Sequence, residues 1–210
     1  MAALAPRGMQ RLGELVAARP LQPACDTFYF LRHGQTPRNA QRIFQDGHEP
    51  LSELGLAQAR AAAKLLSAHS AGSLVCSDYI RAHHTARIVA ESMSLTPRPH
   101  AGLRERHFGA LIGSSSADID WDCAPEAGET LDEFVHRTRD GLDHALAHPA
   151  PVLIVAHGGT LYVLAALLGI ELQAPLIANA QPLHFARREA RWQVTPLGQT
   201  RDPMHGAGLA

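Results

Sequence analysis

Apolar and polar positions along this chain fall into short continuous runs separated by longer stretches with a helical repeat. "TFYFL" (27–31), "SLVCS" (73–77) and the apolar part of "PVLIVAHGG" (151–159) are brief and rich in β-branched or aromatic residues, which predicts buried strands. Between them the spacing predicts helices. "LSELGLAQARAAAKLLSAHS" (51–70) has Ser52 placed to accept from first-turn amides, and "YIRAHHTARIVAESM" (79–93) follows. "GETLDEFVHRTRDGLDHALAHP" (128–149) is stopped by Pro149, and "LYVLAALLG" (161–169) is closed by Gly169. "TPRPH" (96–100) holds too much proline for a central strand and fits an edge strand or a connection. "PLHFA" and "RWQVTPL" read as a terminal antiparallel hairpin.

Strands alternating with helices of this length imply an α/β fold: a three-layer sandwich with a largely parallel central sheet and helices on both faces. No repeat or low-complexity linker divides the chain, so residues 25–210 are expected to form a single domain. Residues 1–24 read as an N-terminal extension. Glu14 and Arg19 interrupt its apolar stretch, unlike a secretory segment, and Leu12, Leu15 and Val16 at helical spacing suggest a short helix packed on the surface.

Composition narrows the function classes. With 46% hydrophobic and 19% charged residues, 210 residues can bury a large core. The net charge of −1 gives no global attraction for nucleic acid or an anionic membrane, so any anion recognition is local. No apolar run reaches the ~18 residues of a membrane span. Cys25, Cys76 and Cys123 are odd in number and widely spaced, which suggests reduced thiols in a cytoplasmic protein.

Candidate chemistry gathers at the predicted strand ends, where open α/β sheets bind ligands. Arg32-His33-Gly34 follows the first strand, Ser77-Asp78 with Arg81 the second, and His157-Gly158-Gly159 the "VLIVA" strand. Two histidines and two arginines therefore converge. Taken singly, each has a plainer reading. His33 serves as an ordinary hydrogen-bonded loop residue, Arg81 as a solvated helix residue, and Glu105 as part of an ion-pair cluster with Arg104 and Arg106. Adjacent His83 and His84 point to different helix faces and make a poor metal site. His107 lines a pocket or faces water, and Cys76 reads as a small core residue.

Together, "LRHGQTPRN", "PLSELGLAQA", "SDYIRAHHTA", "LRERHFGALIG" and "VAHGG" resemble, in order, the histidine phosphatase superfamily in its phosphoglycerate-mutase-like branch. The resemblance spans roughly residues 27–197. It implies that His33 is the nucleophile that becomes a phosphohistidine, and that Arg32, Arg81 and His157 bind the phosphoryl group. It further implies that Asn39 contacts the phosphate and that Glu105 donates the proton to the leaving group. Gly34 and Gly158 would let backbone and substrate approach closely, with Gly158 at the phosphate. His157 would act best as an imidazolium, stabilised by the dianion. Neither metal nor cofactor is expected, because arginine and histidine supply the positive charge.

The chain departs from that family where Leu111-Ile112 replaces an aromatic-acidic pair. The following "GSSSADIDWDCAPEAGET" does not align, so a small cap insertion is expected around 107–130. The leading expectation is a metal-independent phosphomonoester hydrolase acting on a small phosphorylated metabolite. A cofactor-dependent phosphoglycerate mutase is the alternative enzyme, and a silent phosphate-binding or scaffold module the alternative of another class. A homodimer is left open.

Overall fold

The computed structural model describes residues 8–198. Six strands form one sheet: β1 (Thr27–Arg32), β2 (Ser73–Cys76), β3 (Pro97–Pro99), β4 (Val152–Ala156), β5 (Pro182–Arg188) and β6 (Arg191–Pro196). Their order is β3-β2-β4-β1-β5-β6, with β1 to β4 parallel and the β5–β6 hairpin antiparallel at one edge. Proline-rich β3 forms the opposite edge. Glu189 and Ala190, both at positive φ (47° and 65°), make the two-residue hairpin turn whose twist matches the strands.

The continuous apolar runs arise because both sheet faces are covered. Phe28, Phe30, Val152, Ile154 and Ala156 face one core, while Tyr29, Leu31, Leu153 and Val155 face the other. The helices are α1 (Met9–Ala18), α2 (Pro37–Ala40), α3 (Glu53–Leu66), α4 (Ile80–Met93), α5 (Leu131–Leu146) and α6 (Gly158–Leu167). α3 and α4 pack together over the second core, and α1, α5 and α6 over the first. Ser52 caps α3 by accepting from Gly55 N at 3.0 Å. Thr130 and Glu133 form a reciprocal capping box on α5. No helix among the described residues is long and apolar enough to cross a membrane.

α1 does not lie loosely on the surface. Leu12, Leu15 and Val16 are buried in the first core, Leu12 being only 1% exposed, and Arg11 pairs with Asp132 at the start of α5. The expected amphipathic face is real, but the core of the α/β unit is what it completes.

The sheet register positions the site. His33 N donates to Ala156 O, and Ser77 N to Val155 O, each at 2.9 Å. The carboxyl ends of β1, β4 and β2 therefore deliver His33, His157 and Ser77 side by side. Nearby, the 107–130 segment contains no strand of the sheet. It is tied to the chain after α2 by an isolated Ile43–Ser115 bridge and by Phe44 against Phe108, with ring centres 4.2 Å apart. The Arg106 guanidinium, 1% exposed, anchors it from beneath by donating to the carbonyls of Trp121, Cys123 and Glu129.

If α1 is part of the core, Leu12→Ala leaves a cavity and costs about 2–5 kcal/mol of unfolding free energy. Urea denaturation followed by circular dichroism measures this, and a loss below ~0.5 kcal/mol, normal for a surface position, contradicts it.

Candidate active site

His33 follows the last residue of β1 and is 2% exposed. Its Nδ1 lies 2.7 Å from Gly34 O, and because a carbonyl only accepts, Nδ1 carries the proton and Nε2 the lone pair. Three further bonds fix this loop. Gly34 N donates to Thr85 Oγ1 (3.1 Å), Thr85 Oγ1 donates to Arg81 O (2.7 Å), and Asn179 Nδ2 donates to His33 O (2.9 Å). Asn179 also reaches Asn39 Oδ1 at 3.5 Å, which brings half-buried Asn39 on α2 alongside the histidine loop.

The cations surround this imidazole. The His157 ring centre is 5.1 Å from that of His33, and the planes are inclined by 60°. His157 Nε2 is 2.8 Å from Ser77 Oγ, which accepts from Tyr79 N. A serine oxygen has two lone pairs, so this contact serves either histidine tautomer, and Nδ1 is the ring nitrogen without a protein partner. Arg81 is fully buried and donates through Nη1 to Asp46 O (2.6 Å), while Arg32 Nη1 donates to Ile177 O (2.7 Å). Among the described residues, Arg32 Nε, Arg81 Nε, Arg81 Nη2 and His157 Nδ1 have no acceptor although they are buried. A buried donor without a partner costs ~1–3 kcal/mol. Three of these nitrogens are guanidinium donors on the two arginines whose charges bear on His33, and an oxyanion is the ligand that suits them.

Electrostatics follow from this crowding. Burial, then the charges of Arg81 and Arg32, push the His33 imidazole well below its ordinary range, so it is neutral and nucleophilic near pH 7. Burial, Arg81, His33 and Arg32 do the same to His157, so without a bound anion it is neutral. Burial lowers Arg81 to about 10, partly offset by Glu105, and it also lowers Arg32.

Glu105 is half-buried. Its Oε2 accepts from Gly159 N and its Oε1 from Arg106 N, both at 3.0 Å. It does not join the plain ion-pair cluster open in the sequence. Arg104 pairs instead with Asp78, and Arg106 is spent on carbonyls. The glycines divide their work. A Cβ on Gly34 would lie 2.3 Å from Gly55 O, so Gly34 admits the backbone of α3. At Gly158 a Cβ would meet Arg32 in ordinary contact at 3.5 Å, whereas at Gly159 it would fall 2.1 Å from Glu105 Oε1. Ser77, Tyr79, Thr85 and Asn179 support the site, and only the first three stood in a motif. His83 is half-buried and His84 exposed, and no group of three or more metal-ligating side chains occurs among the described residues. His107 is exposed, and Cys76 is a core residue whose thiol burial pushes up to about 12.

Comparison with known proteins agrees with this geometry. The family described as "Histidine phosphatase superfamily (branch 1)" matches residues 28–200. An agropine synthesis reductase of Rhizobium rhizogenes is 33% identical over 198 residues, covering 87% of this chain but 45% of that protein, so the chain spans less than half of that relative. A glucosyl-3-phosphoglycerate phosphatase of Mycobacterium tuberculosis is 35% identical over 162 residues, 66% of this chain and 73% of that one. The solved structure of a mycobacterial glucosyl-3-phosphoglycerate phosphatase with VO3 superposes with a TM-score of 0.66 at 31% identity, over 81% of this chain and 97% of that one.

Depressed histidines have a thermodynamic sign. Below about pH 6.5 the unfolded chain binds protons that folded His33 and His157 refuse, so their contribution is intact above pH 6.5 and is lost as pH falls. The loss is up to about 1.4 kcal/mol per group per pH unit until the folded pKa is reached. Urea midpoints measured between pH 7.5 and 5 are expected to fall more steeply for the native protein than for His33→Asn/His157→Asn, and equal slopes would contradict the assignment.

Proposed function

The chain belongs to the histidine phosphatase superfamily (branch 1), and on that footing we propose that it is a metal-independent phosphomonoester hydrolase working through a phosphohistidine at His33. The observation that supports this most directly is the set of unpartnered buried nitrogens on Arg32, Arg81 and His157 together with the neutral imidazole of His33 beside His157. A phosphate monoester is a dianion with a poor leaving group. Its transfer needs an in-line nucleophile, positive charge on the equatorial oxygens and a proton for the departing alkoxide.

In the proposed reaction the phosphoryl oxygens accept from Arg32, Arg81 and His157 Nδ1, and the dianion favours a second proton on His157. Asn39 and the start of α6 at Gly158 complete the phosphate wall. His33 Nε2 attacks phosphorus as the bond to the leaving oxygen breaks, and Glu105 passes its proton to that oxygen. Water then attacks the phosphohistidine, giving its proton back to the Glu105 carboxylate. The P–N bond breaks, and inorganic phosphate and free His33 are restored. Glu105 is partly reached by solvent, which favours water over a returning sugar acid as acceptor. The substrate is a small phosphorylated metabolite, in keeping with the phosphatase named among its relatives.

An aryl phosphate with chelator present tests the proposal. Turnover is expected in the native protein, with none above background in His33→Ala. Arg81→Met is expected to reduce kcat/KM about 10²–10³-fold, the ~2.7–4 kcal/mol typical of one lost oxyanion donor. Glu105→Gln slows alkyl phosphates far more than the activated aryl ester. Equal rates for native protein and His33→Ala would leave only a binding module, and interconversion of 2- and 3-phosphoglycerate faster than phosphate release would make the protein a mutase.

A further inference from the structure

Beside the oxyanion hole lies a surface cavity of about 330 Å³, at the small end of ligand pockets, lined by Tyr79, Arg104, His107, Glu129 and Arg137 with the backbone at 127–128. Two links join it to the hole. The Tyr79 ring centre is 5.1 Å from the Arg81 guanidinium, 5.4 Å from that of Arg104 and 5.5 Å from the His157 ring. The backbone segment that presents Glu105 also supplies Arg104 and His107 to the cavity wall, and Arg137 donates to the Glu105 carbonyl at 3.4 Å. The cavity thus adjoins both the hole, through Tyr79, and the segment that carries Glu105.

The cavity's charges are already matched. Arg104 grips both oxygens of Asp78 (2.8 and 2.6 Å), and Arg137 grips both oxygens of Glu129 (2.6 and 2.8 Å). Arg137 spends its remaining nitrogen, Nη1, on the carbonyls of Gly102 and Arg104. Both guanidinium forks are thus occupied. A carboxylate entering the cavity meets Glu129 in the wall and an Arg104 fork already held by Asp78, which lies outside the lining, so it has to displace one of these acids to gain a forked contact. Hydroxyl groups meet no such penalty, because the Tyr79 phenol, the His107 imidazole, the carboxylate edges and the exposed backbone all offer neutral or acceptor partners.

Building on the phosphatase reading above, we propose that this cavity is the leaving-group subsite and that it selects uncharged, hydroxyl-bearing groups such as a sugar or polyol against carboxylate-bearing ones, with the Asp78–Arg104 pair as the filter. Glycerol 3-phosphate and 3-phosphoglycerate make a matched pair of substrates, differing only in a terminal CH₂OH against a carboxylate. The native protein is expected to show a kcat/KM at least tenfold higher for glycerol 3-phosphate. Asp78→Asn frees the Arg104 fork and is expected to raise kcat/KM for 3-phosphoglycerate about tenfold, with glycerol 3-phosphate and an aryl phosphate changing by less than about twofold. Adding Arg104→Gln to Asp78→Asn removes that gain.

A native preference for 3-phosphoglycerate, or a ratio that Asp78→Asn leaves unchanged while aryl phosphate is still hydrolysed, overturns the subsite and spares the phosphatase reading. Absence of turnover on every ester, aryl phosphate included, overturns both.

Discussion

The site is arranged around positive charge buried without a direct ion pair, Glu105 acting on it only from a distance. Arg32 and Arg81 are held in place by carbonyl oxygens, those of Ile177 and Asp46, and not by carboxylates. A carbonyl dipole fixes a guanidinium without cancelling its charge, so orientation is achieved while the field stays available to a ligand. Elsewhere the guanidinium groups divide: Arg106 is likewise held by carbonyls, whereas others pair with acids. Arg11, Arg104, Arg137 and Arg187 all pair with acids on the surface, where such pairs add little to stability. The same residue type serves two purposes, distinguished by what its nitrogens touch.

Holding such a site open is a task for the whole sheet. Burying β1, β2 and β4 on both faces fixes their register. Because side chains alternate along a strand, a slip of one residue would send each of them to the opposite core. That register is what places His33 against the His157 ring and sets Ser77 at its Nε2. The irregular 107–130 segment cannot rely on a ladder. It depends instead on one buried guanidinium, Arg106, whose donors take up three carbonyls that would otherwise be orphaned.

Much of this was legible beforehand, for a physical reason. Continuous apolar runs followed at once by Arg-His-Gly or His-Gly-Gly mark both the strand and its carboxyl end, and those ends are where the parallel topology gathers its ligands. The terminal hairpin and the proline-rich edge strand were equally plain. What escaped was whatever depends on distant partners. Asn179 lies in a loop with no periodic signal, yet it touches the carbonyl of His33, 146 positions away. Arg106 looked like one charge among several, and only the fold shows it buried. The helix at Met9–Ala18 displayed its apolar face in the sequence, but nothing local told whether that face met solvent or core. The division of roles among the glycines was likewise invisible, since it turns on α3 and Glu105 approaching from elsewhere.

Thr85 is a small residue with a mechanical consequence. Its single hydroxyl receives the amide of Gly34, next to His33, and binds the carbonyl of Arg81 within the same helix. The His33 loop and the first turn of α4 are thereby bolted to one girder, so a tilt of that helix pulls on the loop through a single oxygen.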